Sequence, residues 1–429
     1  MYQFILGCLA CLAALVGPVH GAGPASVADA VAKLDLVTLP LPPDSETPAT
    51  RREASLTFYS AGASQQAYYF VSKEILKRGW KLRGDPQIYD QYISADYLHD
   101  NFALHLSVSP HRELGVGVTL VHLGNVPLRE LPVPSEVEVL NEFPAVLSYK
   151  SAQNADATAA ACREAMLSAG WEPYGKAGDV AYYRNRAVKA SVRVVSAPNE
   201  GAGSHIDLST ELMSAALPAP PFADNFNYSD ITTAIIYDCD ETEFESAAFY
   251  KRALAPLGWR ATTDAPVEID WEKVTILRNA DQDMLTIKTH KFEGRTRTHV
   301  RLQNAAEVAA EELSGLIEAG KKATFDRHAV WQNVAVPRVA KATHESLEKW
   351  AVRFPLASEQ AFEAAQTLVV QLAAQGWTLS SDLPEGRHLR EFRLEGKDRT
   401  LHILGLATPR RGAWVAVIGT GGVEFSVTP

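Results

Sequence analysis

Four histidines fall within 24 residues, at positions 99, 105, 111 and 122, and they form the densest set of potential metal ligands in the chain. Imidazoles on neighbouring strands could hold zinc or copper. His105, however, alternates with Leu104 and Leu106, which turns it away from an apolar face. The equivalent positions in two later segments are Arg193 and His402. A position that accepts either residue reads more simply as a polar sheet face. The densest acidic run, Asp238 to Glu245, suggests calcium, yet it lacks the glycine and the distal glutamate of a helix-loop-helix calcium loop. Thr242 and Glu245 instead match a capping box at a helix start. The glycine groups at 201–203 and 419–422 have no following Lys-Ser/Thr and do not open a helix after a strand, so they read as turns or strand ends. No Gly-x-Ser-x-Gly elbow or His-Glu-x-x-His motif occurs, and the only Cys-x-x-Cys pair, Cys8 and Cys11, lies in the apolar start of the chain. No catalytic residue, cofactor site or metal site is assigned.

The elements that must carry any site are announced by a recurring pair. Gly79-Trp80, Gly170-Trp171, Gly258-Trp259 and Gly376-Trp377 each follow a segment of helical character, and Pro40, Pro132, Pro218 and Pro337 precede the tryptophans by about 40 residues. A helix that ends in Gly places that residue in the left-handed conformation, where a side chain would clash. The following Trp can then fold back on the residue five positions earlier, here Ile75, Met166, Leu254 and Leu372. One turn before them stand Val71, Cys162, Tyr250 and Leu368, which continue the same stripe. The four tryptophans are therefore expected in the core.

After each pair the periodicity turns from helical to alternating and gives three strands, while one more strand (SLTFYS, AVLSYKS, TTAIIYD, WAVRFPL) precedes each helix. The expected unit is one helix on a four-stranded antiparallel sheet, a two-layer α+β arrangement in four tandem copies. The copies span 37–130, 131–216, 217–304 and 335–429. Between the tryptophans the spacings are 91, 88 and 118, so an insertion lies between the third and fourth copies. Residues 305–334 supply it as a helical spacer, with Val308, Leu313, Leu316 and Ile317 on one stripe and Gly320, Lys321 and Lys322 at its expected end. It is expected to pack against the third copy or to separate two pairs of copies.

No charged side chain occurs in the first 28 residues, and Phe4 to Val16 is an unbroken apolar run. That run is too short to cross a bilayer and suits a secretory signal over 1–21, with a periplasmic or extracellular product. Cys162 and Cys239 occupy non-equivalent positions, so they read as separate reduced thiols rather than as a repeated disulfide framework. The formal charge of −10 and the scatter of Lys and Arg argue against a nucleic-acid surface.

The junctions GNVPLRELPVP (124–134) and LPAPPF (217–222), each placed where one copy ends and the next begins, carry a family likeness. The chain resembles uncharacterised secreted bacterial proteins in which such units follow one another, joined by a Pro-rich step and closed by Gly-Trp. That resemblance implies fold and localisation, and no site residue.

The function expected is that of an exported, non-catalytic binding protein that shows sheet faces and loops to an envelope or extracellular partner. An envelope hydrolase with its site in a cleft between copies, and a structural component of the envelope, are the alternatives. The first copy concentrates polar-tipped rings, His99, His105 and His122 with Tyr89, Tyr92 and Tyr97, and is the expected partner surface.

Overall fold

The helix before each Gly-Trp pair ends in the left-handed turn that its glycine permits. Gly79, Gly170, Gly258 and Gly376 have φ of 84°, 80°, 84° and 94°. In three cases the tryptophan amide donates to the carbonyl five residues back: Trp171 to Met166 at 3.0 Å, Trp259 to Leu254 at 3.3 Å and Trp377 to Leu372 at 3.3 Å. This is the hydrogen bond that closes a helix on a glycine. Ile75, Met166 and Leu372 are wholly buried, and the stripe residues Val71, Cys162, Tyr250 and Leu368 are buried beside them. Trp80, Trp171 and Trp377 are buried too. Trp259 differs from expectation: it is only half-buried, at the margin of its core.

The computed structural model describes residues 23–46, 50–197, 203–324, 332–342, 346–348, 350–382, 386–396, 399–408, 412–420 and 422–429. The expected signal segment 1–21 lies outside them, as do residues 201, 202 and 421 of the two glycine groups. The fold is α+β and its sheets are mostly antiparallel. Helix α1 (Val27–Lys33) comes first. Unit 1 follows with β1 (Thr50–Arg51), β2 (Ser55–Ser60), α2 (Ser64–Leu76), β3 (Lys81–Leu82), β4 (Gln87–Tyr89), β5 (Tyr92–His99), β6 (Phe102–His111) and β7 (Gly115–Gly124). Unit 2 has β8 (Val137–Glu142), β9 (Leu147–Ser151), α3 (Ala155–Ser168), β10 (Glu172–Ala177), β11 (Val180–Asn185), β12 (Val188–Ser196) and β13 (Ser204–Leu212). Unit 3 has β14 (Asp224–Ser229), β15 (Ala234–Cys239), α4 (Glu243–Leu254), β16 (Arg260–Ala261), β17 (Val267–Ile269), β18 (Glu272–Arg278), β19 (Met284–Phe292) and β20 (Arg295–Gln303). After α5 (Ala305–Thr324), unit 4 has β21 (Gln332–Pro337), β22 (Ser346–Glu348), β23 (Ala351–Leu356), α6 (Ala361–Ala373), β24 (Thr378–Asp382), β25 (Leu389–Gly396), β26 (Arg399–Thr408), β27 (Gly412–Thr420) and β28 (Val423–Thr428).

In every unit the strand before the helix pairs with the last long strand, giving the orders β2-β7-β6-β5, β9-β13-β12-β11, β15-β20-β19-β18 and β23-β27-β26-β25. The sheets are wider than the four strands expected. Edge strands β1, β8, β14 and β22 lie on one side, and β3, β10, β16 and β24 on the other, so the sheets hold six or seven strands. These additions are mostly two to six residues long, too short for alternation to separate them from loops. A parallel pair, β21 with β28, was also not expected.

Helix α5 continues past Gly320 to Thr324, and its placement corrects the spacer reading. It packs chiefly on sheet 4, opposite α6. Leu313, Leu316 and Ile317 lie on Leu404, Ala416 and Ile418, while Val308 meets Leu389 and Leu406. Ile403, Val415 and Val417 face α6 instead. Sheet 4 is thus covered on both faces, the condition under which strands read as continuous apolar runs such as TLHILGLA and AWVAVIGT.

The junctions between units differ. Units 1 and 2 share one continuous core, closed by the segment before α1, where the Asn125 side chain accepts from Ala25 N at 2.7 Å and donates to Gly23 O at 3.1 Å. Units 2 and 3 meet where β10 lies against β14. A Cβ on Gly175 would stand 2.2 Å from the Phe226 carbonyl oxygen, so only glycine allows that approach. Units 3 and 4 are joined by α5 and by ion pairs, Arg278 to Glu312 at 3.3 Å and Arg387 to Asp281 at 2.8 Å.

Candidate functional site

The six rings singled out in the first copy are divided by sheet 1 between its two faces. On the helix side, β5 and β7 bury every second residue, and Tyr97 and His122 are wholly buried there. His122 stands edge-on to Trp80 and Phe102, with centroids at 5.5 and 6.2 Å. Burial pulls its imidazole down to about 4, so it is neutral at neutral pH. Burial pushes the Tyr97 hydroxyl well above its ordinary value. His99 is half-buried on the same side, with its ring 5.6 Å from that of Trp80 and its Nδ1 3.2 Å from Asp100. These three rings belong to the core around the first tryptophan. Tyr97 and His122 are out of reach of a partner, which corrects their assignment to a surface.

His105 lies on the opposite face, with Nδ1 2.8 Å from Asp96 on the neighbouring strand. Similar pairs recur on the corresponding faces of the other sheets. Arg193 donates to Asp179 at 3.1 Å, Lys288 to Glu272 at 2.9 Å, and His402 lies 3.3 Å from Glu391. The His105, Lys288 and His402 pairs are cross-strand, worth a few tenths to about 1 kcal/mol each, while Arg193 reaches Asp179 in the turn before β11. His111 is occupied elsewhere, against Tyr59 at 4.8 Å. Among the described residues no three His, Cys, Asp or Glu side chains gather in a metal-holding arrangement.

Tyr89 and Tyr92 remain. They face each other across the β4–β5 hairpin and are 65% and 39% exposed, with Ile88 at 40%. Unit 3 presents a hairpin in the same place, β17–β18, with Val267, Ile269 and Trp271 exposed and Trp271 at 67%. Trp271 stands edge-on to His290, with ring centroids 4.4 Å apart. Sequence reasoning missed this second hairpin, although Pro86-Gln-Ile-Tyr-Asp-Gln-Tyr92 and Pro266-Val-Glu-Ile-Asp-Trp-Glu272 align without a gap. The matching strand of unit 2, β10, is the one docked against β14.

A cavity of about 500 Å³ opens where α1, unit 1, unit 3 and the start of α5 converge, lined by Val27, Val31, Arg52, Ser214, Asn304 and Glu307 among others. Beside it Asp230 gathers four donors: Ser55 Oγ at 2.6 Å, Ser214 N at 2.7 Å, Ser214 Oγ at 3.0 Å and the Tyr228 hydroxyl at 2.7 Å. Arg52 pairs with Glu307 and donates to the Ile231 carbonyl. Ser214 Oγ also accepts from Ala54 N at 2.9 Å. The Ser214 hydroxyl is held between a carboxylate and an amide, and this node fastens three units. Asp283, raised by burial, accepts from Ala305 N at 3.0 Å and so caps α5.

Cys162 and Cys239 are both free and buried. Burial lifts the Cys162 thiol to about 11, which leaves it unreactive. Among the described residues no helix is long and apolar enough to cross a membrane. Comparisons with protein families, curated proteins and solved structures find no match for the chain.

Proposed function

We propose that the chain is an exported, non-catalytic binding protein of four tandem copies of one unit, and that it holds a protein partner of the envelope or extracellular space on the hairpins of units 1 and 3. One observation carries this reading. The strand element after Gly-Trp is docked in unit 2 and exposes no large apolar side chain, whereas in units 1 and 3 its counterparts expose Ile88, Tyr89, Tyr92, Val267, Ile269 and Trp271. Grouped exposed aromatic and aliphatic side chains mark interaction surfaces, and Tyr and Trp dominate their energetics. The uncharged, apolar start of the chain supports export. The shared strand order of the four sheets supports the tandem origin.

The test compares the whole protein with a variant carrying Tyr89→Asp, Tyr92→Asp, Ile269→Asp and Trp271→Asp as bait in a native envelope extract. The expected result is a partner retained by the parent and lost by the variant at unchanged melting temperature. Recovery of the same partner by both would refute the hairpin surface. Turnover of a saccharide, peptide or ester panel by the parent would refute the non-catalytic reading.

A further inference from the structure

The docking of β10 on β14 builds a second pocket, of about 720 Å³, between α3 and α4. That size lies within the roughly 300–1,000 Å³ of small-molecule sites. Its walls are rigid. Pro218, Pro220 and Pro221 of the inter-unit segment form one side, and Phe226 of β14 with Phe249 of α4 forms the other. The Tyr174 hydroxyl donates to the Leu217 carbonyl at 2.9 Å and Arg184 donates to the same oxygen at 2.6 Å, which fixes the Pro-rich wall. Gly175 contributes backbone alone to the lining, because a side chain there would collide with Phe226.

The charges of the lining do not balance. Arg184 is satisfied by Glu172 at 2.7 Å in addition to its carbonyl contacts. Asp224 is satisfied by Arg295 at 2.7 Å. Arg163 on α3 and Lys176 on β10 are left, both exposed, and neither makes an ion pair or hydrogen bond among the described residues. Every unmatched charge of the pocket is therefore positive, beside a wall of proline and phenylalanine rings.

We infer that this pocket binds an apolar monocarboxylate, its ring or chain against Phe226, Phe249 and the prolines and its carboxylate between Arg163 and Lys176. An anion gains from two cations that no internal carboxylate neutralises. An apolar body gains from leaving water against a wall that needs no rearrangement. The site is separate from the hairpins and does not depend on their role.

The probe is 8-anilinonaphthalene-1-sulfonate, an anionic arene, titrated into the whole protein and followed by fluorescence. Binding of one equivalent is expected, with displacement by 2-naphthoate or dodecanoate; the stronger competitor shows whether a ring or a chain fits. The uncharged 2-naphthalenemethanol should displace at least about tenfold less well. Arg163→Glu with Lys176→Glu should weaken the probe about tenfold or more at unchanged melting temperature. Phe249→Leu, which keeps the core apolar, should weaken it less. Equal binding by the double charge variant or equal displacement by the alcohol would overturn the inference.

Discussion

Unit 2 and unit 1 carry the same element after the same Gly-Trp turn, and the two have met opposite fates. In unit 2 a glycine four residues beyond the tryptophan, Gly175, with φ of 108°, lets β10 press onto the backbone of unit 3. In unit 1 the glycine at that offset, Gly84, has φ of 74° and nothing within 4 Å of its missing side chain. The docked strand keeps its apolar tyrosine, Tyr174, inside, whereas the free hairpin shows Tyr89 and Tyr92 to solvent. The same element is thus covered by a neighbouring unit in one place and left open to solvent in the other. Unit 3 repeats the lesson with Trp271.

The largest effect expected in breaking this contrast comes from the tryptophans. Trp171→Ala, in the docked unit, should cost about 3–5 kcal/mol, the usual cost of deleting a buried aromatic. Trp259→Ala, whose ring is half-buried in the unit with a free hairpin, should cost about 1–2 kcal/mol. Urea unfolding of the two variants measures the difference, and equal losses would remove the distinction between the two environments.

The two faces of unit 1 differ in the same sense, and pH separates them. His122 is held neutral, with its folded value near 4 against an ordinary 6.5. The unfolded chain therefore binds the proton at a higher pH than the folded one. The stability this provides is present above about pH 6.5 and is lost as pH falls toward 4, by about 3 kcal/mol over that window. His122→Phe should remove this part of the acid sensitivity, whereas His105→Gln on the open face should keep it. Denaturant midpoints at pH 7 and pH 4.5 decide, and parallel losses in parent and His122→Phe would refute the assignment.

Smaller effects are expected at the two glycines. Gly175→Ala meets both a left-handed backbone and the Phe226 carbonyl, and should cost about 2–3 kcal/mol. Gly84→Ala meets the backbone conformation alone and should cost about 1–2 kcal/mol. If thermal melting ranks them in the reverse order, the junction between units 2 and 3 does not depend on close backbone approach.

Much of the frame was legible before any coordinate. The helices, their glycine ends and the four long strands of each sheet follow from periodicity, because residues three or four apart on a helix and two apart on a strand share a neighbour. The burial of His122 was legible in principle, since it keeps step with Val116, Val118 and Leu120 rather than with the polar positions between them. The added edge strands were not legible, because two to six residues of pairing leave no pattern of their own. Nor was the target of α5, whose stripe tells that it packs but not on which sheet; the doubly apolar β26 and β27 carried that information. The pocket at the junction of units 2 and 3 depends on how units meet, and that is fixed by residues far apart in sequence.

Unit 4 is closed by a pairing between its two ends. Strand β28, the last strand of the chain, lies parallel to β21, so Gln332 pairs with Val423. Every unit pairs the strand before its helix with its last long strand, as Ser55 with Val121 and Ala351 with Ile418, and this ladder spans a still longer stretch of chain. Closing so long a loop before any reward is gained is slow. A chain that stops before Val423 leaves β21 without its parallel neighbour, a bare strand edge open to pairing with other unfinished chains.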